Sequence, residues 1–274
     1  MKIGACQFSV TSDMPSNFRQ IRQAIARAAQ AGVQMLFFPE CALTGYPPRD
    51  IPHPGAVDFE QAGRCYGELE CLARAHRMSI VVGTIAQADG RHSNAALLFT
   101  PEGRRTVYRK RALWGWDAEH FAPGSDPGVF EADGVKIGLR ICYEIRFPEY
   151  FRELYVENTD LNVILFYDVS DQDNADRYDL IRAHVRTRAV ENVCHTLAVN
   201  AAGPHQTAPT GLYDPSGRAI CELERNRSGL LIHDLRPWTP DFGQRGRREI
   251  SDRLCHPRKT GQASSMGMPI PPDV

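Results

Sequence analysis

Lysine is nearly missing from this chain. Only Lys2, Lys110, Lys136 and Lys259 occur in 274 residues, and arginine supplies the other 28 basic side chains. A lysine kept inside "YRKRAL", between Arg109 and Arg111, marks a candidate position for a compact ammonium rather than a guanidinium fork, with chance retention as the plain alternative. No C-x-x-C pair occurs among the eight scattered cysteines, which argues against a disulfide framework and against the tight ligand spacing of a zinc site. No run approaches the ~20 apolar residues of a membrane span. The opening "KIGACQFSV" is strand-like and too short for the apolar core and cleavage site of a signal peptide. A formal net charge of −1 leaves no field suited to a polyanion. The expectation is a soluble, cytoplasmic protein with reduced thiols and neither a membrane nor a nucleic-acid partner.

What is present is a long alternation of apolar runs and helical patterns, in a chain that is 42% hydrophobic and large enough for one substantial α/β domain. "KIGACQFSV" reads as a strand. "NFRQIRQAIARAAQAG" reads as an amphipathic helix with Ile21, Ile25, Ala28 and Ala29 on one face and Gly32 as its stop. "VQMLFFPE" is a buried-strand run, followed by the Pro- and Gly-rich loop "TGYPPRDIPHPG" and a helix through "CYGELECLARAH". "MSIVVGTIAQ" and "SNAALLFTPEG" form two strands around a turn at Asp89-Gly90, with "RRTVYRK" beside them. The scheme then repeats through strand "VKIGLRIC", helix "PEYFRELYVE", strand "LNVILFYDV" and helix "YDLIRAHVRTRAVEN". Strands "CHTLAVNAAG", "GLYDPSGRAICELE" and "GLLIHDL" close the pattern, with turn chemistry at Tyr213-Asp214-Pro215-Ser216-Gly217 within the second of them. No linker divides the chain, so residues 1–274 read as a single domain whose stretch 240–274 is an Arg- and Pro-rich arm. The element order suggests two packed sheets with helices outside.

Three apolar runs end on polar chemistry: "MLFFPE" on Glu40, "TVYRK" on Lys110 and "GLRIC" on Cys142. Strand ends converge in α/β sheets, so residues distant in sequence can share one site there. Burial raises a carboxylate towards the range of a usable base, and a neighbouring ammonium pulls it down again. A thiol beside that base and that ammonium becomes a nucleophile, and the ammonium can hold negative charge developing on a carbonyl oxygen. Singly, Glu40 reads as a capping or ion-paired carboxylate and Cys142 as a small core hydrophobe. Together they describe acyl transfer through a thioester.

At these segments the sequence resembles the nitrilase, or carbon–nitrogen hydrolase, superfamily. "FFPECALTGY" is similar to its glutamate motif, "YRKRALWGWDAEHFAPG" to its lysine motif and "GLRICYEIRFPE" to its cysteine motif. Further likeness lies in "RAHVRTRAVENVCHTLAVN" and "GLYDPSGRAI", so the resemblance spans most of residues 1–235. It implies a four-layer α-β-β-α sandwich of two mixed sheets, pairing across a helical face into a homodimer or a larger even-numbered assembly. It also implies a site without metal or cofactor, in which Glu40 is the general base, Lys110 the oxyanion-stabilising cation and Cys142 the nucleophile. The family carries a second glutamate three or four residues before its "F-x-P-G" signature. Here Glu119 stands only two before Phe121, while Asp117 holds the usual offset with a shorter side chain. Glu119 is taken as the second catalytic carboxylate, on the reasoning that the loop is about one residue short, and Asp117 is its alternative.

"CYE" followed by "RFPE" resembles the aliphatic amidase and ω-amidase-like branches, whereas nitrilases commonly place tryptophan after the cysteine. The expected reaction is hydrolysis of a small non-peptide amide to a carboxylate and ammonia. N-carbamoyl or nitrile hydrolysis on the same residues is the alternative, and an idle binding scaffold is the non-enzymatic one. Substrate contacts are expected from Tyr46 and Tyr143, with Trp114 and Trp116 as further candidates or as packing under loops. Arg146 is a candidate carboxylate reader, or else an ion-pair partner of Glu144 or Glu149. The sequence argues against a metal site from His184, Cys194, His195 and His205, since His184 falls on a helical pattern and Cys194-His195 open a strand. The basic stretches "RGRRE" and "RKTG" lack the aromatic interleaving of a nucleic-acid surface.

Overall fold

The computed structural model describes residues 1–255. Two compact units make up the chain, Met1–Thr239 and a second one beginning at Pro240. In chain order the first unit opens with β1 (Lys2–Gln7), α1 (Met14–Gln30), β2 (Met35–Phe37), α2 (Phe59–His76), β3 (Ser79–Ala88), β4 (Arg91–Phe99) and β5 (Arg105–Arg109). It continues through α3 (Trp116–His120), β6 (Val129–Ala132), β7 (Val135–Ile141), α4 (Pro148–Val156), β8 (Leu161–Phe166) and β9 (Val169–Ser170). α5 (Ala175–Asn192), β10 (His195–Asn200), β11 (His205–Gln206), β12 (Gly211–Tyr213), β13 (Ala219–Glu222) and β14 (Gly229–Asp234) complete it.

The strands form two six-stranded mixed sheets, ordered β14-β1-β2-β3-β4-β5 and β13-β12-β10-β8-β7-β6. Strand alternation explains their packing, because successive side chains point to opposite faces. Ile137, Leu139 and Ile141 of β7 meet Ile3, Ala5, Phe37 and Val81 in the core between the sheets. The opposite face of β7 carries Gly138 and Arg140. A Cβ on Gly138 would sit 2.6 Å from Leu154 of α4, so the helix packs directly on the strand. Arg140 is fully buried and donates to the carbonyls of Pro127 (2.7 Å) and Tyr150 (3.1 Å). On the outer face of the first sheet, α1 buries Phe18, Ile21, Ile25 and Ala28 among residues of α2 and β3. Asp13 caps α1 by accepting from the Ser16 amide at 3.1 Å. On the second sheet, α4 and α5 bury Phe151, Leu154, Ile181, Val185 and Ala189. The result is the expected α-β-β-α sandwich.

Three features add to the sequence reading. β14 pairs with β1 along Lys2↔Asp234 to Gln7↔Gly229, so the last strand completes the first sheet. The stretch "GLYDPSGRAICELE" is two strands, β12 and β13, around the Asp214–Gly217 turn. In the second unit, part of the arm is helical: α6 (Phe242–Cys255) starts at Asp241, whose carboxylate accepts from the Gln244 amide at 2.8 Å. "RGRRE" therefore belongs to a helix, and "RKTG" lies outside the described residues.

Candidate active site

β2 stops at Phe37, but the chain stays against β3, with the Phe38 amide donating to the Val81 carbonyl at 2.9 Å. Gly83 on β3 makes the next step possible. A Cβ there would fall 2.0 Å from the Pro39 carbonyl oxygen and 2.6 Å from Glu40 Cα, so only glycine admits this turn. Glu40 is thereby buried with its carboxylate held at both oxygens. Oε1 accepts from Asn94 Nδ2 at 2.6 Å and from Lys110 Nζ at 3.1 Å, while Oε2 accepts from the Tyr167 amide at 2.8 Å. Burial pushes the Glu40 pKa up, and the Lys110 ammonium opposes that rise.

Lys110 follows β5 directly and is also buried. Its amide donates to the Asn94 carbonyl (2.8 Å), and its carbonyl accepts from the Gly124 amide (2.9 Å). Gly124 is the glycine of "FAPG". A Cβ there would meet the Arg109 carbonyl at 2.2 Å, which accounts for that part of the motif. Lys110 Nζ lies between Glu40 and Asp117 Oδ2, the latter at 2.8 Å. Burial works against its charge, but the Glu40 and Asp117 carboxylates outweigh this and hold its pKa well above the ordinary lysine value.

The second carboxylate at the lysine is Asp117, which corrects the expectation of Glu119. Both residues lie on the single turn α3, where each residue advances about 100°. Two residues apart, the side chains point to nearly opposite sides, so only one can face Lys110. Asp117 faces inward and its Oδ1 accepts from the Tyr46 hydroxyl at 2.7 Å, while Glu119 is exposed.

Cys142 comes immediately after β7 with φ +45°, a left-handed conformation that costs a side-chain-bearing residue about 1–3 kcal/mol. Glu144 holds this turn. Its buried carboxylate accepts from the Ile141 amide (2.7 Å), the Tyr108 hydroxyl (2.8 and 2.9 Å), and the Arg111 (2.7 Å) and Ala112 (3.3 Å) amides. The cysteine turn is thus tied to the segment that carries Lys110. Burial, and then the Glu40 carboxylate, raise the Cys142 thiol well above its usual pKa, so the resting residue is a neutral thiol.

Arg146 is exposed, with its guanidinium 5.6 Å from the Tyr143 ring centroid, and among the described residues it forms an ion pair with neither Glu144 nor Glu149. Tyr46 stacks on Tyr167 at 5.1 Å. A cavity of about 270 Å³ is walled by Tyr46, Tyr143, Tyr167, Trp114 and Trp116. Lys110, Asp117, Cys142, Asp168 and Arg177 reach its surface, so both expected substrate-contacting tyrosines are on the wall. Sequence reasoning missed Asn94, Tyr167, Asp168 and Arg177. Asp168 had a usable signal, since "LNVILFYDV" is a fourth apolar strand end carrying a polar residue. Asn94 had none, lying in mid-strand on β4. The histidines and cysteine of the metal alternative fall on α5 (His184), at the start of β10 (Cys194, His195) and on β11 (His205). Among the described residues no group of three or more His, Cys, Asp or Glu side chains is placed to hold a metal, and no helix is long and apolar enough to cross a membrane.

Two back-to-back mixed sheets with helices outside, carrying a carboxylate, an ammonium and a thiol at neighbouring strand ends, define the class of nitrilase-fold hydrolases. The chain belongs to the carbon–nitrogen hydrolase family, whose model matches residues 2–239. It is 30% identical over 224 residues to an (R)-stereoselective amidase of Pseudomonas sp, covering 78% of this chain and 77% of that protein. It is 28% identical over 228 residues to the 2-oxoglutaramate amidase of Bacillus subtilis (strain 168), covering 80% and 85%. Among solved structures it superposes on a variant of the amidase from Nesterenkonia sp. AN1 that carries a covalent acetamide moiety at its active-site cysteine. That match has a TM-score of 0.75 and 26% identity over 86% of this chain and 90% of that one. A second variant of the same amidase, in complex with butyramide, matches with a TM-score of 0.76 and 26% identity over 93% and 96%. The protein is therefore an enzyme, an amidase-like hydrolase of carbon–nitrogen bonds.

Proposed function

We propose that the chain hydrolyses a small non-peptide primary amide to a carboxylate and ammonia, with Cys142 as nucleophile. The observation that carries this reading is the meeting of Glu40 with Lys110, Asp117 and Cys142, the last three of which line one small cavity. Glu40 takes the thiol proton as sulfur attacks the amide carbon. A neutral resting thiol makes proton removal part of the attack, and a base with a raised pKa suits it. Lys110 Nζ and the Tyr143 amide hold the oxyanion. The tetrahedral intermediate collapses, the C–N bond breaks, and ammonia leaves with the proton that Glu40 held. A water then gives a proton to Glu40 and attacks the thioester, and the departing sulfur recovers that proton. Asp117 and Tyr46 keep the ammonium in place throughout.

Ammonia release from short aliphatic amides, ω-amides, N-carbamoyl compounds and nitriles tests the reading. Amides should react, and Cys142→Ala should abolish turnover while leaving the fold intact. Retained turnover in that variant overturns the assignment. Iodoacetamide should alkylate Cys142 stoichiometrically and a small amide should block it, which an idle scaffold would not show. The even-numbered assembly implied by the resemblance stands as a proposal that sedimentation equilibrium can test.

A further inference from the structure

The cavity wall carries a buried carboxylate that the reaction steps leave unused. β7 and β8 run side by side in parallel, with Ile141 opposite Leu165. Cys142 comes just after the first of these strands and Asp168 just after the second, and both line the cavity. The backbone pins Asp168 there. Its amide donates to Asn200 Oδ1, and its carbonyl accepts from Asn200 Nδ2 and the Thr207 amide, each at 2.9 Å. The carboxylate is unevenly engaged. Oδ1 accepts from Arg177 Nε (3.1 Å), Arg177 Nη2 (3.0 Å) and the Thr207 hydroxyl (2.5 Å). Among the described residues Oδ2 accepts from Arg177 Nη2 alone, at 2.9 Å. An ionised carboxylate oxygen has about two lone-pair sites, so Oδ2 keeps one for a donor in the cavity. The side chain is 8% exposed, and the cavity is what it borders.

That open acceptor contrasts with the rest of the wall. Lys110, Arg177, Trp114 and Trp116 offer donors only. Asp117 is the other carboxylate on the wall, and Tyr46 and Lys110 engage its two oxygens. The Asp168 charge works against a Cys142 thiolate and so helps to keep the resting thiol neutral, while Arg177 balances that charge. The reaction needs an acceptor at this place. A primary amide brings two N–H donors into the site, and a donor buried without a partner weakens binding. As Glu40 passes its proton to the nitrogen, positive charge grows on those same N–H groups, which a fixed carboxylate stabilises.

We propose that Asp168 is a further catalytic residue, whose Oδ2 accepts an N–H of the substrate amide and holds the nitrogen while it is protonated and leaves. The inference rests on the amidase reading. In this step the oxyanion re-forms the C=O bond and the C–N bond breaks with its electron pair going to nitrogen. The Glu40 proton completes NH3, and the acyl group stays on sulfur. Asp168 keeps its own charge throughout and moves no proton, because Arg177 holds it as the ionised partner of an ion pair.

The test is Asp168→Asn. Arg177 and Thr207 hold the remaining oxygen of that side chain, so an NH2 donor takes the place of Oδ2 and opposes the substrate NH2. On butyramide kcat/KM should fall about 100-fold, and on methyl butyrate, which presents no N–H, it should stay within about threefold. Chloroacetamide and chloroacetone, two thiol alkylators of nearly the same shape, read the contact without turnover. Relative to a free thiol, wild-type Cys142 should favour chloroacetamide by about tenfold or more, and Asp168→Asn should lose that preference. A merely structural defect would slow all four compounds alike. Equal losses on amide and ester, unchanged butyramide turnover, or a wild-type alkylation ratio no greater than that of the free thiol overturn the inference. If methyl butyrate is not a substrate, the alkylation ratios of the two proteins decide, and if Asp168→Asn does not fold, the wild-type ratio decides. Should wild-type enzyme act on N-carbamoyl compounds or nitriles and on none of the amides, the amidase reading fails and the inference falls with it. Wild-type amide turnover with equal losses in the variant sinks the inference alone.

Discussion

Glu40, after β2, and Glu144, after β7, are both fully buried carboxylates beside the same cluster, yet their surroundings differ in kind. Glu144 is surrounded by three backbone amides and a tyrosine hydroxyl, none of which changes partner while the fold stands. Glu40 shares Lys110 with Asp117 and lies beside the thiol, with burial raising its pKa. A carboxylate saturated by the backbone ties two turns together. One that shares a cation and faces a proton donor can exchange a proton. The contrast shows that burial of a glutamate near a reactive cysteine does not by itself make it a base.

Glu40→Gln keeps the shape and removes the base, and should lower kcat about 10³-fold with little change in melting temperature. Asp117→Ala comes next. Releasing one side of Lys110 and the Tyr46 hydroxyl should cost about 10²-fold in kcat, read by steady-state kinetics on the best amide. Glu144→Ala should act through stability instead, losing about 2–4 kcal/mol in urea unfolding because buried amides lose their acceptor. Asn94→Leu should act through pH. The Asn94 hydrogen bond lowers the Glu40 pKa, so its loss raises that pKa further. If the ionised carboxylate is the active form, the acidic limb of the kcat/KM profile should then move to higher pH, and an unmoved limb would contradict Glu40 as base. Glu119→Ala is the smallest expected change, within about twofold of wild type, because the residue is exposed and faces away from Lys110.

Much of the cluster was legible because strands announce their ends. Glu40, Lys110 and Cys142 each close an apolar run, and a polar residue there has few places to go except the sheet's carboxyl edge. Asp117 was misread because sequence spacing was used to judge the reach of a loop. The loop in fact contains the helical turn α3, and helical phase decides which carboxylate faces inward. Asn94 escaped because nothing in an alternating strand shows that one inward polar residue will meet a glutamate 54 positions away. The Arg177–Asp168 pair also needed the fold, since one residue begins a helix and the other follows a strand.

By itself, the sequence determined the alternation of strands and helices, the two-sheet class and the three strand-end groups, because these follow from local periodicity and the need to bury apolar runs. It also carried two glycines whose purpose it could not reveal. Only the tertiary structure decided that Gly83 lies beneath the Glu40 turn and Gly124 against Arg109. It alone settled that β14 closes the first sheet and that Asp117 holds the lysine. Each of these depends on which distant segments touch, and contact between distant segments is set by packing of the whole, not by any local pattern.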